Sequence, residues 1–86
     1  MLQNRVKELR ARHNLNQSEL GKLVGATRQT IGMIEKGDYA PSVALALKIS
    51  KAFQLPLEEV FWLEEEEKNG PVFHLLVGDQ EIARLD

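Results

Sequence analysis

Between Asn16 and Gly37 glycine interrupts the chain repeatedly, and there is no room for a long helix. "NQSELGKLV" opens on Asn16 and stops at Gly25, while "TRQTIGMIEK" opens on Thr27 and stops at Gly37. Asn or Thr ahead of an apolar-periodic run marks a helix start, and glycine after it marks the end. Two short helices joined by one tight turn cross steeply, so small residues are needed where they approach. Gly21, Gly25 and Ala26 supply them. Leu20, Val24, Ile31 and Ile34 are placed to bury the inside of the corner. Arg28, Gln29, Thr30 and Met33 are left to project outward from the second helix.

The rest of the chain packs around this unit. The spacing predicts a helix over residues 4–13, with Asn4 as its N-cap and Val6, Leu9 and His13 on one face, and Leu2 just before it. In the next helix Leu20, Leu23 and Val24 are expected to face inward. After the loop "DYAPS", residues 43–53 read as a fourth helix with Val43, Ala46, Leu47, Ile49 and Phe53 toward the core. Pro56 precedes a short fifth helix, "LEEVF", expected to end near Phe61–Leu63. Continuing it would put Glu64–Glu67 at its negative C-terminal end, where carboxylates are unfavourable. Beyond Asn69-Gly70-Pro71, "VFHLLV" and "QEIARL" read as a β-hairpin about a Gly78-Asp79 turn. The expectation is a helical domain over residues 1–63 and an acidic linker with a β-hairpin extension over residues 64–86.

Charge divides the chain slightly earlier, after Pro56. Residues 1–56 hold nine Lys or Arg against four Asp or Glu, and residues 57–86 hold two against nine. An excess of +5 is thus followed by one of −7, giving the net −2. A basic part suggests a polyanionic partner. No cysteine is present, which excludes disulfides, thiol catalysis and thiolate metal sites. No apolar run approaches the roughly 20 residues of a membrane span, and the N-terminus lacks a signal-type stretch. A cytoplasmic location is expected.

The outward residues of the third helix suit DNA. Arg can donate two hydrogen bonds to guanine, Gln can pair with adenine, and Thr or Met can contact a thymine methyl. The free N–H groups at a helix start attract phosphates. "NQSELGKLVGATRQTIGMIEKGDYAPSVALALKISKAFQLPLEEVF" resembles the helix-turn-helix domain of the phage-repressor (Cro/C1) type of regulator, in particular its short stand-alone members. Gln17, Glu19-Leu20, Gly25, Arg28 to Ile31, Ile34-Glu35, Gly37 and Pro41-Ser42 agree in type and spacing.

That resemblance implies a mainly α, five-helix, lambda-repressor-like DNA-binding fold whose third helix enters the major groove. It implies base contacts from Arg28, Gln29 and Met33, beside which the outward reading above sets Thr30, and phosphate contacts from Gln17, Thr27, Lys36 and Tyr39. It also implies an ion pair between Arg10 and Glu35, joining the first and third helices. This sequence departs from the family at Gly21, commonly Ala, and at Gly32, commonly a polar residue. Residues 70–86 lie outside the match.

Nothing suggests an enzyme. His13 and His74 are far apart in sequence and neither has metal-ligand spacing, so no metal and no cofactor are expected. Two readings follow. In the first, the chain is a transcriptional repressor acting on double-stranded DNA as a homodimer, because one recognition helix reads only a few base pairs. In the second, it is an antitoxin-like module that holds a protein partner through the C-terminal extension and binds DNA for autoregulation.

Overall fold

A computed structural model describes residues 1–64, and the expected hairpin over residues 70–86 lies outside them. The order is β1 (Leu2–Asn4), α1 (Val6–Arg12), α2 (Gln17–Val24), α3 (Arg28–Lys36), α4 (Val43–Ala52), α5 (Leu57–Val60) and β2 (Phe61–Leu63). The five helices appear in the expected order, but the fifth stops at Val60, and Phe61–Leu63, where it was expected to end, are a strand. No helix among the described residues is long and apolar enough to cross a membrane.

The caps explain the boundaries. Asn16 Oδ1 accepts from the Glu19 N–H at 2.7 Å, and Glu19 Oε1 accepts in return from the Asn16 N–H at 2.8 Å. This reciprocal box satisfies two otherwise orphaned donors. Thr27 and Ser42 cap α3 and α4 without the reciprocal bond, each accepting from a backbone N–H three residues on at 3.1 Å. Gly25 closes α2 in the left-handed region, with φ of 75°, which glycine adopts without steric cost.

Gly21 serves a different need. A Cβ there would stand 2.5 Å from the carbonyl oxygen of Ala26, closer than side-chain carbons approach. The turn folds back onto α2 at this residue, and the Ala26 N–H donates to the Gly21 carbonyl at 2.9 Å. The departure from alanine therefore sets how tightly α3 returns.

One core unites the helices. Val6, Leu9, Leu20, Ile31, Ile34, Ile49 and Val60 are almost fully buried, with Val24, Phe53 and Phe61 beside them. Three residues expected inside are outside: Leu23, Val43 and Leu47 are 63%, 72% and 51% exposed. In α4 the inward face is set by Ala46, Ile49 and Ser50, and Ser50 Oγ donates to the Ala46 carbonyl at 3.0 Å. Val43 and Leu47 are rotated off that face, and Leu23 falls beside the inward face of Leu20, Gly21 and Val24. His13 is exposed at the end of α1, with its ring 5.3 Å from that of Phe53.

The start of the chain also departs from expectation. Leu2–Asn4 pairs antiparallel with Phe61–Leu63, in the register Leu2 with Leu63, Gln3 with Trp62 and Asn4 with Phe61. Backbone bonds from the Arg5 N–H to Val60 and from the Glu64 N–H to Met1, both 3.0 Å, extend the pairing. Asn4 is therefore a strand residue rather than the helix cap. Its Oδ1 still accepts from the Val6 N–H at 3.0 Å, while its Nδ2 donates to the Ile34 carbonyl at 2.9 Å.

Gly21→Ala should destabilise the domain by about 1–3 kcal/mol, because the methyl group meets backbone that cannot step aside. A urea midpoint equal to that of the unaltered chain would show that the turn can open without loss.

Candidate nucleic-acid interface

The outer side of α3 carries an open depression of about 460 Å³, lined by Gln17, Arg28, Gln29, Gly32, Met33 and Lys36. Five residues that the sequence assigned to bases or phosphate meet there: Arg28, Gln29, Met33, Gln17 and Lys36. Helical spacing accounts for most of it. Positions 28, 32 and 36 share one face of α3, with 29 and 33 alongside. Gln17 joins them from α2. A second depression of about 400 Å³ adjoins through Gln17 and Arg28 and adds Arg10, Asn16 and Ser18.

The remaining assigned residues stand elsewhere. Thr27 Oγ1 accepts from the Thr30 N–H at 3.1 Å and donates to Thr30 Oγ1 at 2.9 Å, so its hydroxyl hydrogen is engaged within the helix start. Thr30 is half-buried and bonded to Thr27. Tyr39 lines a separate cleft of about 220 Å³ with Asn4, Ile34, Gly37, Pro41 and Phe61. The first N–H groups of α3 have no intrahelical partner, and the positive end of the helix dipole faces the same way.

Beneath this surface is a polar brace. Arg10 Nε donates to Glu35 Oε2 at 2.8 Å and Nη2 to Glu35 Oε1 at 3.3 Å, a two-pronged contact between α1 and α3. The two side chains are 16% and 5% exposed. Arg10 Nη1 donates in addition to the Leu15 carbonyl at 2.9 Å. The hydrogen bond to Glu35 raises the Arg10 pKa above its ordinary value; partial burial opposes this and the carboxylate's charge adds to it. Gln17 Nε2 also donates to Glu35 Oε1, at 3.1 Å. The family resemblance implied the ion pair but not the third member. A side chain from α2 reaching a residue of α3 depends on the crossing angle, which no local pattern encodes.

The sequence also left Gly32 without a role. It forms part of the depression's lining, and the Gln17 amide lies against it. Among the described residues no group of three or more His, Asp or Glu could hold a metal ion.

Residues 6–60 match the helix-turn-helix family. An uncharacterized HTH-type transcriptional regulator of Bacillus subtilis is 63% identical over 65 residues, covering 76% of this chain and 98% of the relative. Among solved structures, the P22 c2 repressor protein in complex with a synthetic operator superposes with a TM-score of 0.61 at 30% identity, covering 63% of this chain and 82% of that one. The restriction-modification controller protein C.AhdI from Aeromonas hydrophila gives a TM-score of 0.60 at 33% identity, covering 64% and 83%.

Arg10→Ala should cost about 3–5 kcal/mol, since it leaves the buried Glu35 carboxylate without its cation. Chemical denaturation measures this, and a loss below about 1 kcal/mol would put the pair in the class of exposed ion pairs.

Proposed function

The chain belongs to the Cro/C1-type helix-turn-helix family of DNA-binding transcriptional regulators, and from that membership we propose that it is a repressor that binds a two-half-site operator as a homodimer. The observation that carries the reading is the convergence of Arg28, Gln29, Met33, Lys36 and Gln17 on one open face of α3. The side chains there are two cations, two carboxamides and one thioether. Such a set can bind a polyanion and read base edges, and it offers no nucleophile and base pair for catalysis.

In this reading α3 lies in the major groove with its first turn against the bases. Arg28 and Gln29 donate to guanine and adenine edges, and Met33 supplies an apolar contact suited to a thymine methyl. Thr30 steadies the helix start through its bonds with Thr27. Lys36, at the far end of α3, neutralises a phosphate, and Tyr39 and the N–H groups around Thr27 approach the backbone on either side. The P22 c2 repressor, solved on its operator, supports this docking by similarity of fold and sequence. One helix of nine residues covers few base pairs, so useful specificity calls for two copies. Their half-sites would lie about 34 Å apart, one turn of the duplex.

Selection of bound sites from random DNA tests the proposal, and two half-sites at one-turn spacing are the expected product. Failure to enrich any sequence would defeat it. On a selected site Arg28→Ala should cost about 1–3 kcal/mol at one base position and relax specificity there. Lys36→Ala should weaken all sequences alike and lower the salt slope of binding by about one unit. A uniform loss from Arg28→Ala would reassign that residue to the phosphates.

A further inference from the structure

Gln17 belongs to α2, yet its side chain lies across α3. Its amide nitrogen donates to Glu35 Oε1 at 3.1 Å, and the same carboxylate accepts from Arg10 at 2.8 and 3.3 Å. A Cβ on Gly32 would stand 3.4 Å from that nitrogen. The amide therefore rests against bare helix backbone, and any side chain longer than a methyl group at position 32 would compete for its space. An amide nitrogen carries two hydrogens. One goes to Glu35, and among the described residues the Gln17 amide has no other partner. Arg28 and Lys36 flank the same depression.

We propose that Glu35 is a positioning residue for DNA, acting through Gln17. The Arg10–Glu35 pair turns the Gln17 amide so that its second N–H faces a phosphodiester oxygen, and Gly32 leaves the room for it. The inference rests on the DNA-binding reading above and assigns this corner of the face to the sugar-phosphate backbone. The physical reason is the ambiguity of a carboxamide. A glutamine free to rotate about its last torsion offers a phosphate its oxygen as readily as its nitrogen, and the oxygen repels. A carboxylate behind it accepts only from the nitrogen end, which fixes the orientation before DNA arrives. Glu35 is too buried to meet DNA itself. Its two oxygens serve both partners, because Oε2 accepts from Arg10 while Oε1 takes the Gln17 amide along with the longer Arg10 bond.

Glu35→Gln separates the two roles. The charged guanidinium claims the single remaining carbonyl oxygen. The new NH2 then faces Gln17, whose amide must turn over and put its oxygen where the free N–H had been. Binding is read on a random-sequence DNA duplex at low salt, where phosphate contacts dominate whatever the sequence. We expect Gln17→Ala to weaken binding about fivefold, Glu35→Gln about fivefold to tenfold, and Glu35→Gln added to Gln17→Ala less than about twofold further. A brace that only held the fold would produce the same loss from Glu35→Gln in either background, which would overturn the proposal. Gly32→Leu keeps the ion pair and fills the space, and should weaken binding as Gln17→Ala does. Wild-type affinity from Gly32→Leu would also overturn the proposal, and this arm stands even where Glu35→Gln does not fold. If the unaltered chain bound no duplex at all, the regulator reading would fail and the relay with it. Duplex binding with independent losses would remove the relay alone.

Discussion

The Arg10–Glu35 pair is the interaction on which the site's geometry depends. It ties α1 to α3 with two hydrogen bonds, and a third from the same arginine reaches the Leu15 carbonyl at the entry to α2. One guanidinium thus ties α1 to α3 and to the loop that leads into α2. The planar fork suits this because its donors are fixed relative to one another, so the three bonds together leave little freedom in the helices. Burial raises the cost of breaking the pair. It does not show that the pair stabilises the fold more than an apolar contact of the same volume would. Its contribution is directional.

The turn between α2 and α3 complements that constraint. Gly21 lets the Ala26 carbonyl close to a distance that a methyl group would forbid, and Gly25 lets the chain reverse in a left-handed conformation. Together they set the crossing of the two helices, and the crossing places Gln17 over Gly32. A wider turn would leave Leu20, Ile31 and Ile34 able to find apolar neighbours, because hydrophobic contact is non-directional. It would also take Gln17 out of reach of Glu35.

Much of this was legible in the sequence because it is local. Asn16, Thr27 and Ser42 announce helix starts, Gly25 and Gly37 announce ends, and the buried residues of α2 and α3 follow the helical period. The β1–β2 ribbon was not legible. Each strand is three residues long, too short to show alternation, and the pairing joins positions about sixty residues apart. Asn4 illustrates the difficulty: its residue type suits a helix cap, and it does accept from the Val6 N–H, but long-range pairing places it in a strand. Leu23, Val43 and Leu47 failed for another reason. Apolar character marks a residue that can be buried, while the rotation of the helix decides which of several candidates is. Of the depression on α3, spacing placed Arg28, Gln29 and Met33 outward, the family resemblance added Lys36, and Thr30, also expected outward, is half-buried and outside the lining. The contribution of Gln17 through Glu35 was not legible, because it crosses between helices.

The thin apolar stripe of α3 explains why polar ties matter here. Only Ile31 and Ile34 are buried in this helix. Burying two such side chains supplies about 3–6 kcal/mol toward docking the helix. Two points of contact hold a cylinder against a surface, but they resist rolling about its axis weakly, since aliphatic side chains repack at small cost. A recognition helix tolerates little rolling, because at a side-chain radius of about 5 Å a rotation of 20° shifts a donor by nearly 2 Å, more than a hydrogen bond allows. A broader apolar face would resist rolling, at the expense of the outward positions that Arg28, Gln29, Met33 and Lys36 occupy. Directional bonds placed at the edge of the stripe resolve the conflict. Glu35 is held from one side by Arg10 and Gln17, the Ile34 carbonyl is held by Asn4, and the first turn is held by the Thr27 cap. The helix is thereby fixed in rotation with only two inward residues, and the rest of its surface stays open, as the proposed DNA contact requires.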